Sequence, residues 1–228
     1  MIIECRDLKK QYVADASLVT AVDNVTLSVS AGEFLVILGH SGSGKTTLLS
    51  LIGGLTLPDS GEVLIDGIEN WHQSDEALSD MRNSKIGFIF QFASLIPTLT
   101  ALENVLLPLT FGRRPRGSHQ KALEILDLVG LPDKTNAFPS QLSGGQQRRI
   151  AIARAFINQP DIILADEPTG DLDEETERDI LKVFKEYNQQ GTTFVVVTHN
   201  IHLAQTQLKA RVLEMKQGVL REKVPAGA

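Results

Sequence analysis

The stretch Gly39-His40-Ser41-Gly42-Ser43-Gly44-Lys45-Thr46-Thr47 constrains this chain more than any other. It follows an apolar run, Phe34–Leu38, that reads as a strand, and it leads into a helical run over residues 48–52. Strand, glycine-rich loop and helix, in that order, are the context in which the pattern G-x4-G-K-T folds around phosphate. The glycines let backbone N–H groups converge on a β-phosphate at the helix N-terminus. Lys45 then reaches the β- and γ-phosphates, and the Thr46 hydroxyl is placed to ligand Mg²⁺. The alternative is a glycine-rich turn with a chance lysine, but strand and helix flank the loop correctly, so the sequence predicts a nucleoside triphosphate site.

A second element is Ile162-Ile163-Leu164-Ala165-Asp166-Glu167, an apolar strand ending in adjacent acids. Asp166 is expected to hold the Mg²⁺ shell and Glu167, pointing elsewhere, to polarise the attacking water. A solvated strand end also carries acids, but beside a phosphate loop the functional reading prevails.

Strand-like segments recur at residues 2–5, 25–29, 34–38, 61–65, 86–90, 161–165, 193–197 and 211–216, with helical periodicities between several of them. That alternation predicts a mostly parallel α/β sheet. The runs 34–38, 162–165 and 194–197 are apolar on both faces and belong at its centre. Alternation over residues 21–29 and the turn Asp59-Ser60-Gly61 predict a small antiparallel lobe. Residues 95–155 read instead as helices broken by Pro97, Pro108, Pro115, Pro132 and Pro139, an inserted helical lobe. A frayed tail is expected over 225–228.

With 228 residues and 42% hydrophobic content the chain is large enough for one domain with a real core. A net charge of −6 gives no general attraction to nucleic acid phosphates. Cys5 is the only cysteine, so neither an internal disulfide nor a thiolate metal cluster is available, and Cys5 is expected to fill space in the first strand. No apolar run approaches the roughly 18 residues of a membrane span, and the charged N-terminus is unlike a signal peptide. The expectation is a cytosolic protein, unless a membrane partner holds it.

Leu142-Ser143-Gly144-Gly145-Gln146 opens a helical run over residues 147–158 whose apolar members include Ile150, Ile152, Ala153, Phe156 and Ile157. Its glycines and Ser143 present N–H groups and a hydroxyl at a helix N-terminus, a second anion site. Two such helix ends in one chain either grip one ligand together, or the second grips a ligand held by another copy.

This pentapeptide, followed some twenty residues later by the Asp166-Glu167 strand, resembles the signature of ATP-binding cassette (ABC) ATPases. The resemblance implies an α/β fold with a P-loop NTPase (RecA-like) core and a mostly parallel sheet, a small antiparallel β lobe and an inserted helical lobe. The lobes are expected at about 1–33 with 60–70, 34–91 with 159–228, and 92–158. It implies MgATP as ligand and a homodimer in which Ser143, Gly144, Gly145 and Gln146 complete the nucleotide site of the opposing subunit.

Other family elements follow in order. Gln91 matches the Q-loop glutamine, a metal-sensing residue beside Thr46 and Asp166. His199, after the strand at 193–198, matches the switch histidine on the γ-phosphate. Tyr12, in Lys9-Lys10-Gln11-Tyr12, matches the aromatic residue that stacks on adenine. Asp173, in Thr169-Gly170-Asp171-Leu172-Asp173, matches the D-loop position at the dimer interface, with Asp171 where close relatives often carry another small polar residue. His40 departs from the proline common at its position; it is either a solvent-facing loop residue or a group titrating beside phosphate.

The resemblance further implies two copies facing head to tail. Each ATP would lie between Lys45, Asp166 and His199 of one chain and residues 143–146 of the other, with hydrolysis through Glu167 releasing the dimer. A permease helix is expected to contact the groove near Gln91 and residues 92–100, from Phe92 onward, which would hold the protein on the cytoplasmic face of the cell membrane. The stretches 87–91, 97–105 and 166–173 look most like the lipoprotein-releasing and macrolide-exporting subfamily, are similar also to the cell-division ABC ATPase, and less so to importers. Arg113, Arg114 and Arg116 read as a solvated interhelical loop, or as a contact to anionic lipid or a partner. A soluble ABC ATPase acting on nucleic acid would carry a coiled coil, a zinc module or a second cassette. A nucleotide kinase would leave residues 142–146 unexplained, and a non-hydrolysing module would leave Lys45, Asp166, Glu167 and His199 without purpose.

Overall fold

Val25, Leu27 and Val29 are buried while the residues between them are exposed, and this period of two lays them on one face of a long antiparallel hairpin. Its strands are β1 (Ile3–Ala14) and β2 (Ser17–Val29). The structure, a computed structural model, describes residues 1–14, 17–112, 117–170, 172–200, 203 and 210–222. Arg113, Arg114, Arg116, Asp171 and the tail over 225–228 lie outside the described residues. The chain divides into two units, residues 1–79 with 193–228, and residues 80–192.

In the first unit, β1 also pairs antiparallel with β4 (Ser60–Ile65), which pairs with the short β5 (Ile68–Glu69), giving the order β2-β1-β4-β5. The hairpin reaches well beyond the strands expected at 2–5 and 25–29. Its register shifts between Cys5 and Leu8, where Asp7 adopts a φ of 48° and the regular alternation is lost. The Asp7 N–H donates to Thr26 Oγ1 at 3.1 Å and the Thr26 hydroxyl returns a bond to Asp7 Oδ1 at 3.0 Å, closing the irregularity. Gly61 sits against it, since a Cβ there would fall onto the carbonyl oxygens of Arg6 and Asp7.

The same unit holds the strands β3 (Phe34–Leu38), β8 (Thr193–Thr198), β9 (Arg211–Lys216) and β10 (Val219–Glu222). β3 lies between β8 and β9 and runs parallel to both. Every residue of β3 and β8 is buried, as their two-sided apolar pattern requires. Phe34 and Phe194 stack with ring centroids 5.0 Å apart. β9 turns into β10 through Gln217 and Gly218, both at positive φ, the geometry of a two-residue hairpin loop. Helix α1 (Lys45–Ile52) packs Leu48, Leu49, Leu51 and Ile52 inward.

In the second unit, β6 (Ile86–Ile89) pairs parallel with β7 (Ile162–Asp166). Helix α2 (Asp75–Lys85), whose first turns belong to the first unit, leads into β6. Between β6 and β7 come α3 (Ala101–Leu106), α4 (Ser118–Leu128) and α5 (Gly144–Phe156), with short 3-10 turns at Leu107–Phe111, Pro132–Lys134 and Pro139–Gln141. Of the five prolines expected to break this region, Pro132 and Pro139 open two of those turns, Pro108 sits one residue inside the third, Pro97 lies in the loop before α3 and Pro115 lies outside the described residues; no strand interrupts the region among the described residues. Helix α6 (Glu174–Gln189) follows β7; Phe156 of α5 stacks on its Tyr187 at 4.1 Å and meets its Phe184 at 6.1 Å. No helix among the described residues is long and apolar enough to cross a membrane.

Candidate functional site

The glycine loop leaves β3 through Gly39, whose N–H donates to the carbonyl of Thr198 at 3.3 Å and so ties the loop to the end of β8. A Cβ on Gly39 would strike the carbonyl of Met215 and the Ser43 hydroxyl. At the other end Gly44 adopts a φ of 104°, and a Cβ there would fall onto the carbonyl of Ala21 in β2. Glycine is required at both positions by contact, and at Gly44 by conformation as well. The Gly218 N–H in the β9–β10 turn donates to the Ser43 carbonyl at 3.0 Å and braces the loop from outside.

Gly44 caps α1 without a side-chain acceptor, and the first turn of the helix carries no acid. Its leading N–H groups therefore keep their positive end for an anion. Ser43 Oγ is buried with no hydrogen-bond partner, and Lys45, 7% exposed, folds its ammonium onto the carbonyls of Gly39 and His40 at 2.8 and 3.0 Å. An orphaned hydroxyl, an uncapped helix end and a buried ammonium held only by neutral oxygens in those bonds fit a phosphate. Ser41, Gly42 and Thr46 are exposed, Thr47 is half-buried, and His40 is exposed.

His199 is exposed directly after β8, where the Asn200 N–H donates to Thr198 Oγ1 at 3.0 Å. The Gly39–Thr198 bond thus places it next to the strand end that meets the loop. Tyr12 is 43% exposed, paired with Val19 across the hairpin and approached by Lys10 Nζ 5.6 Å from its ring centroid. Val13, Leu18 and Val19 are also exposed, an apolar hairpin end suited to a flat aromatic ligand.

In the second unit Asp166 is the last residue of β7 and 4% exposed, where the sequence had the strand ending one residue earlier. Glu167 follows with a φ of 46°. A non-glycine residue in that region is strained, and the regular strand backbone ends there. Thr169 is buried and donates to Glu177 Oε1 at 2.8 Å. Asp173 is the N-cap of α6: its carboxylate accepts from the Thr176 N–H at 2.9 Å and the Thr176 hydroxyl at 2.8 Å. Those bonds, the N–H first, hold the Asp173 carboxyl below the usual carboxylate range.

Ser143 is the N-cap of α5, which begins three residues before the helical run expected from 147. Its hydroxyl accepts from the Gln146 N–H at 3.3 Å, and Gln146 Oε1 accepts from the Ser143 N–H at 2.9 Å, a closed capping box. Gly144 has open space where a side chain would be. The box leaves the N–H groups of Gly144 and Gly145 for an outside anion, with the Ser143 hydroxyl proton still available to donate.

Gln91 is exposed, flanked by Phe90 and Phe92, which are 42% and 76% exposed. Three residues that sequence reasoning passed over hold this segment. Arg148 of α5, 2% exposed, donates to the Phe90 carbonyl at 2.5 Å. Arg154 donates to the carbonyls of Ala93 and Ser94 at 3.0 and 2.9 Å. Asn104, fully buried, accepts from the Ile96 N–H at 2.8 Å and donates to the carbonyls of Ile96, Leu99 and Thr100. Charged residues on a helix otherwise read as its wet face; only the tertiary fold shows that these guanidiniums cap a loop.

Thr46, Asp166 and Gln91 offer oxygen donors, the type Mg²⁺ takes, and the described residues contain no cluster of three or more His, Cys, Asp or Glu that would hold a metal unaided. A few protein oxygens completed by phosphates are the usual Mg²⁺ arrangement.

The family model described as ABC transporter matches residues 22–170, from β2 through the glycine loop and α5 to the turn after Glu167. The chain belongs to the ABC transporter family. An uncharacterised ABC transporter ATP-binding protein from Thermotoga maritima is 48% identical over 203 residues, covering 89% of this chain and 87% of that protein. Two solved structures of the ABC transporter cassette MJ0796 are similar throughout. One, a dimeric structure of this bacterial cassette, has a TM-score of 0.91 and 44% identity over 99% of this chain and 100% of that one. The other, a dimeric post-hydrolysis state bound to ADP and Pi, has a TM-score of 0.88 and 43% identity over 96% and 98%. The expected fold, a P-loop α/β cassette with an added antiparallel sheet, is therefore the observed one, and this ABC protein is an ATPase that uses ATP with Mg²⁺.

Proposed function

We propose that this ABC ATPase pairs with a second copy of itself around bound nucleotide and drives an integral-membrane permease from the cytoplasmic face of the cell membrane. The observation that carries the reading is the second glycine-fronted helix end. The α5 N-terminus presents the N–H groups of Gly144 and Gly145, with open space at Gly144 and the Ser143 N-cap hydroxyl beside them, a site that would be completed by the γ-phosphate of an ATP held on the opposing chain. The dimeric form of MJ0796, with its TM-score of 0.91, supports such a pairing.

Within one chain Lys45 would exchange its two carbonyls for phosphate oxygens, and the α1 N–H groups would hold the β-phosphate. Thr46, Asp166 and Gln91 would hold the metal, which when bound neutralises charge between the β- and γ-phosphates. Glu167 would take the proton of the attacking water, His199 would contact the γ-phosphate, Tyr12 would stack on adenine, and Asp173 would stand at the dimer interface. Phe92 and Ile96, exposed beside Gln91 on a loop pinned by Asn104, support a permease contact over residues 92–100. The sequence stretches there favour the lipoprotein-release and macrolide-export type of partner.

The test is to express tagged Glu167→Gln chain at native level, trap it with ATP, solubilise gently and identify what co-purifies by mass spectrometry. A permease with few spanning helices and a large extracytoplasmic domain supports the force-transmitting branch. A many-helix permease with a solute-binding protein would move the assignment to importers, and wall hydrolase regulators would move it to the cell-division type. The absence of any membrane protein would overturn the permease reading.

A further inference from the structure

We propose that Arg148 is a positioning residue that couples the two nucleotide sites of the cassette dimer, by fixing the segment before Gln91 to the helix whose N-terminus serves the partner's nucleotide. The inference rests on the reading above, in which residues 143–146 act on the opposing chain's ATP and Gln91 on the chain's own.

Arg148 lies five residues beyond Ser143, about 7.5 Å along α5 at 1.5 Å per residue. It is 2% exposed and its guanidinium donates to the carbonyl of Phe90, the residue before Gln91, at 2.5 Å. A buried guanidinium that loses its acceptor is costly, so this charge-assisted bond resists breaking when α5 moves. Further along the same helix, Arg154 holds the carbonyls of Ala93 and Ser94 at 3.0 and 2.9 Å on the other side of Gln91. The strand that delivers Gln91 is locked to the same helix. Gly87 of β6 meets α5 so closely that a Cβ would fall onto the carbonyl of Ala155.

Gln91 is thus bracketed by three ties to α5, from β6, from Phe90 and from residues 93–94. A phosphate that engages the N–H groups of Gly144 and Gly145 pulls on the helix end, and the displacement reaches Gln91 without passing through solvent or a flexible linker. In a head-to-tail dimer that geometry makes occupancy of one site bias the metal-sensing glutamine of the other, a coupling that is reciprocal by linkage. Arg148 is the side-chain tie nearest both ends and is 2% exposed.

The experiment compares the full chain with Arg148→Met, which keeps a long unbranched side chain but loses all donors, and with Arg148→Lys, which keeps a cationic donor. Nucleotide binding is read by ATP-induced thermal shift, dimerisation by sedimentation against ATP concentration, and turnover as a function of ATP. The expected result is a sigmoidal parent curve that becomes hyperbolic in Arg148→Met, with the half-saturating ATP for dimerisation raised by about 5–10-fold. The thermal shift of the monomer at saturating ATP stays unchanged, and Arg148→Lys recovers most of the sigmoidal response. An Arg148→Met chain that is equally sigmoidal, or one that loses stability and ATP binding together while the shape of the curve holds, shows a merely structural tie and overturns the coupling. A parent chain with no ATP-driven dimer or turnover removes the reading of function itself, and the coupling with it.

Discussion

Lys45 donates to the carbonyl oxygen of Gly39 at 2.8 Å, six residues back along its own loop. The ammonium assigned to phosphate is thereby held in place by neutral acceptors, which a charged oxygen displaces because charge-assisted bonds are roughly twice as strong. ATP with Mg²⁺ should therefore stabilise the chain. At a ligand concentration of about 100 Kd the gain is about 2.7 kcal/mol, or roughly 5–10 °C in Tm for a domain of this size. Lys45→Ala should abolish most of that rise in a thermal-shift measurement, and a variant that keeps the full rise would remove Lys45 from the site.

The loop's glycines are not equivalent. Gly44 has a φ of 104° and would drive a Cβ onto the Ala21 carbonyl, whereas Gly42, at φ 75°, has no atom within 4 Å of that position. Gly42→Ala carries conformational strain alone, of order 1–3 kcal/mol. Gly44→Ala adds displacement of β2 from the loop. Circular dichroism melts should rank Gly44→Ala clearly below Gly42→Ala, and equal Tm values would show that β2 yields at no cost.

The parts of this chain that were legible in its sequence are those where local pattern and tertiary environment agree. β3 runs from Phe34 to Leu38 as expected because every residue of it is buried, and an unbroken apolar run has no register to mistake. The hairpin β1–β2 extends nine residues past the expected end of its first strand, from Cys5 to Ala14, because bulges at Asp7 and around Lys10 break the period of two on which strands are recognised. β10 is short and its last two residues are exposed, and no strand was expected past residue 216. In the candidate site, the setting of the glycine loop was readable, with β3 before it and α1 after it, because such a loop requires glycines at fixed spacing. Arg148, Arg154 and Asn104 were not, since what they cap is a set of carbonyls 4 to 61 residues away in sequence.

Asp173 carries a structural duty alongside the interface role proposed for it. As N-cap of α6 its carboxyl is held below the usual range, so its folded pKa is lower than its unfolded one. A group depressed in this way stabilises the fold above its unfolded value and loses that contribution as pH falls through the folded value. Asp173→Ala should lower Tm at neutral pH, and the gap to the parent should narrow on acidification below about pH 4. Asp173→Asn, which keeps an acceptor for the Thr176 N–H, should lose less. Melts of the three chains at several pH values decide it, and a gap independent of pH would show that the charged cap contributes nothing.

Cys5 pairs with Leu27 and Val63 on neighbouring strands and is 1% exposed. Burial pushes its thiol pKa up to about 12, so almost no thiolate exists at neutral pH. A chromogenic disulfide reagent should leave the native chain unmodified and label it only as the hairpin unfolds. Rapid labelling under native conditions would mean that β1 opens locally.

Glu167 pays for its position in backbone strain, with a φ of 46° directly after the buried end of β7. A non-glycine residue held in that region costs of order 1–3 kcal/mol, and glycine adopts it freely. Glu167→Gly should therefore raise Tm while turnover falls by roughly 10²–10⁴-fold, the range typical for losing a general base. Glu167→Gln should lose comparable activity and gain no stability, because it keeps a Cβ in the same strained conformation. The pair separates strain from chemistry. If Glu167→Gly melts no higher than Glu167→Gln, the turn is shaped by its neighbours rather than by the need to aim this carboxylate; if either variant keeps parental turnover, the base lies elsewhere.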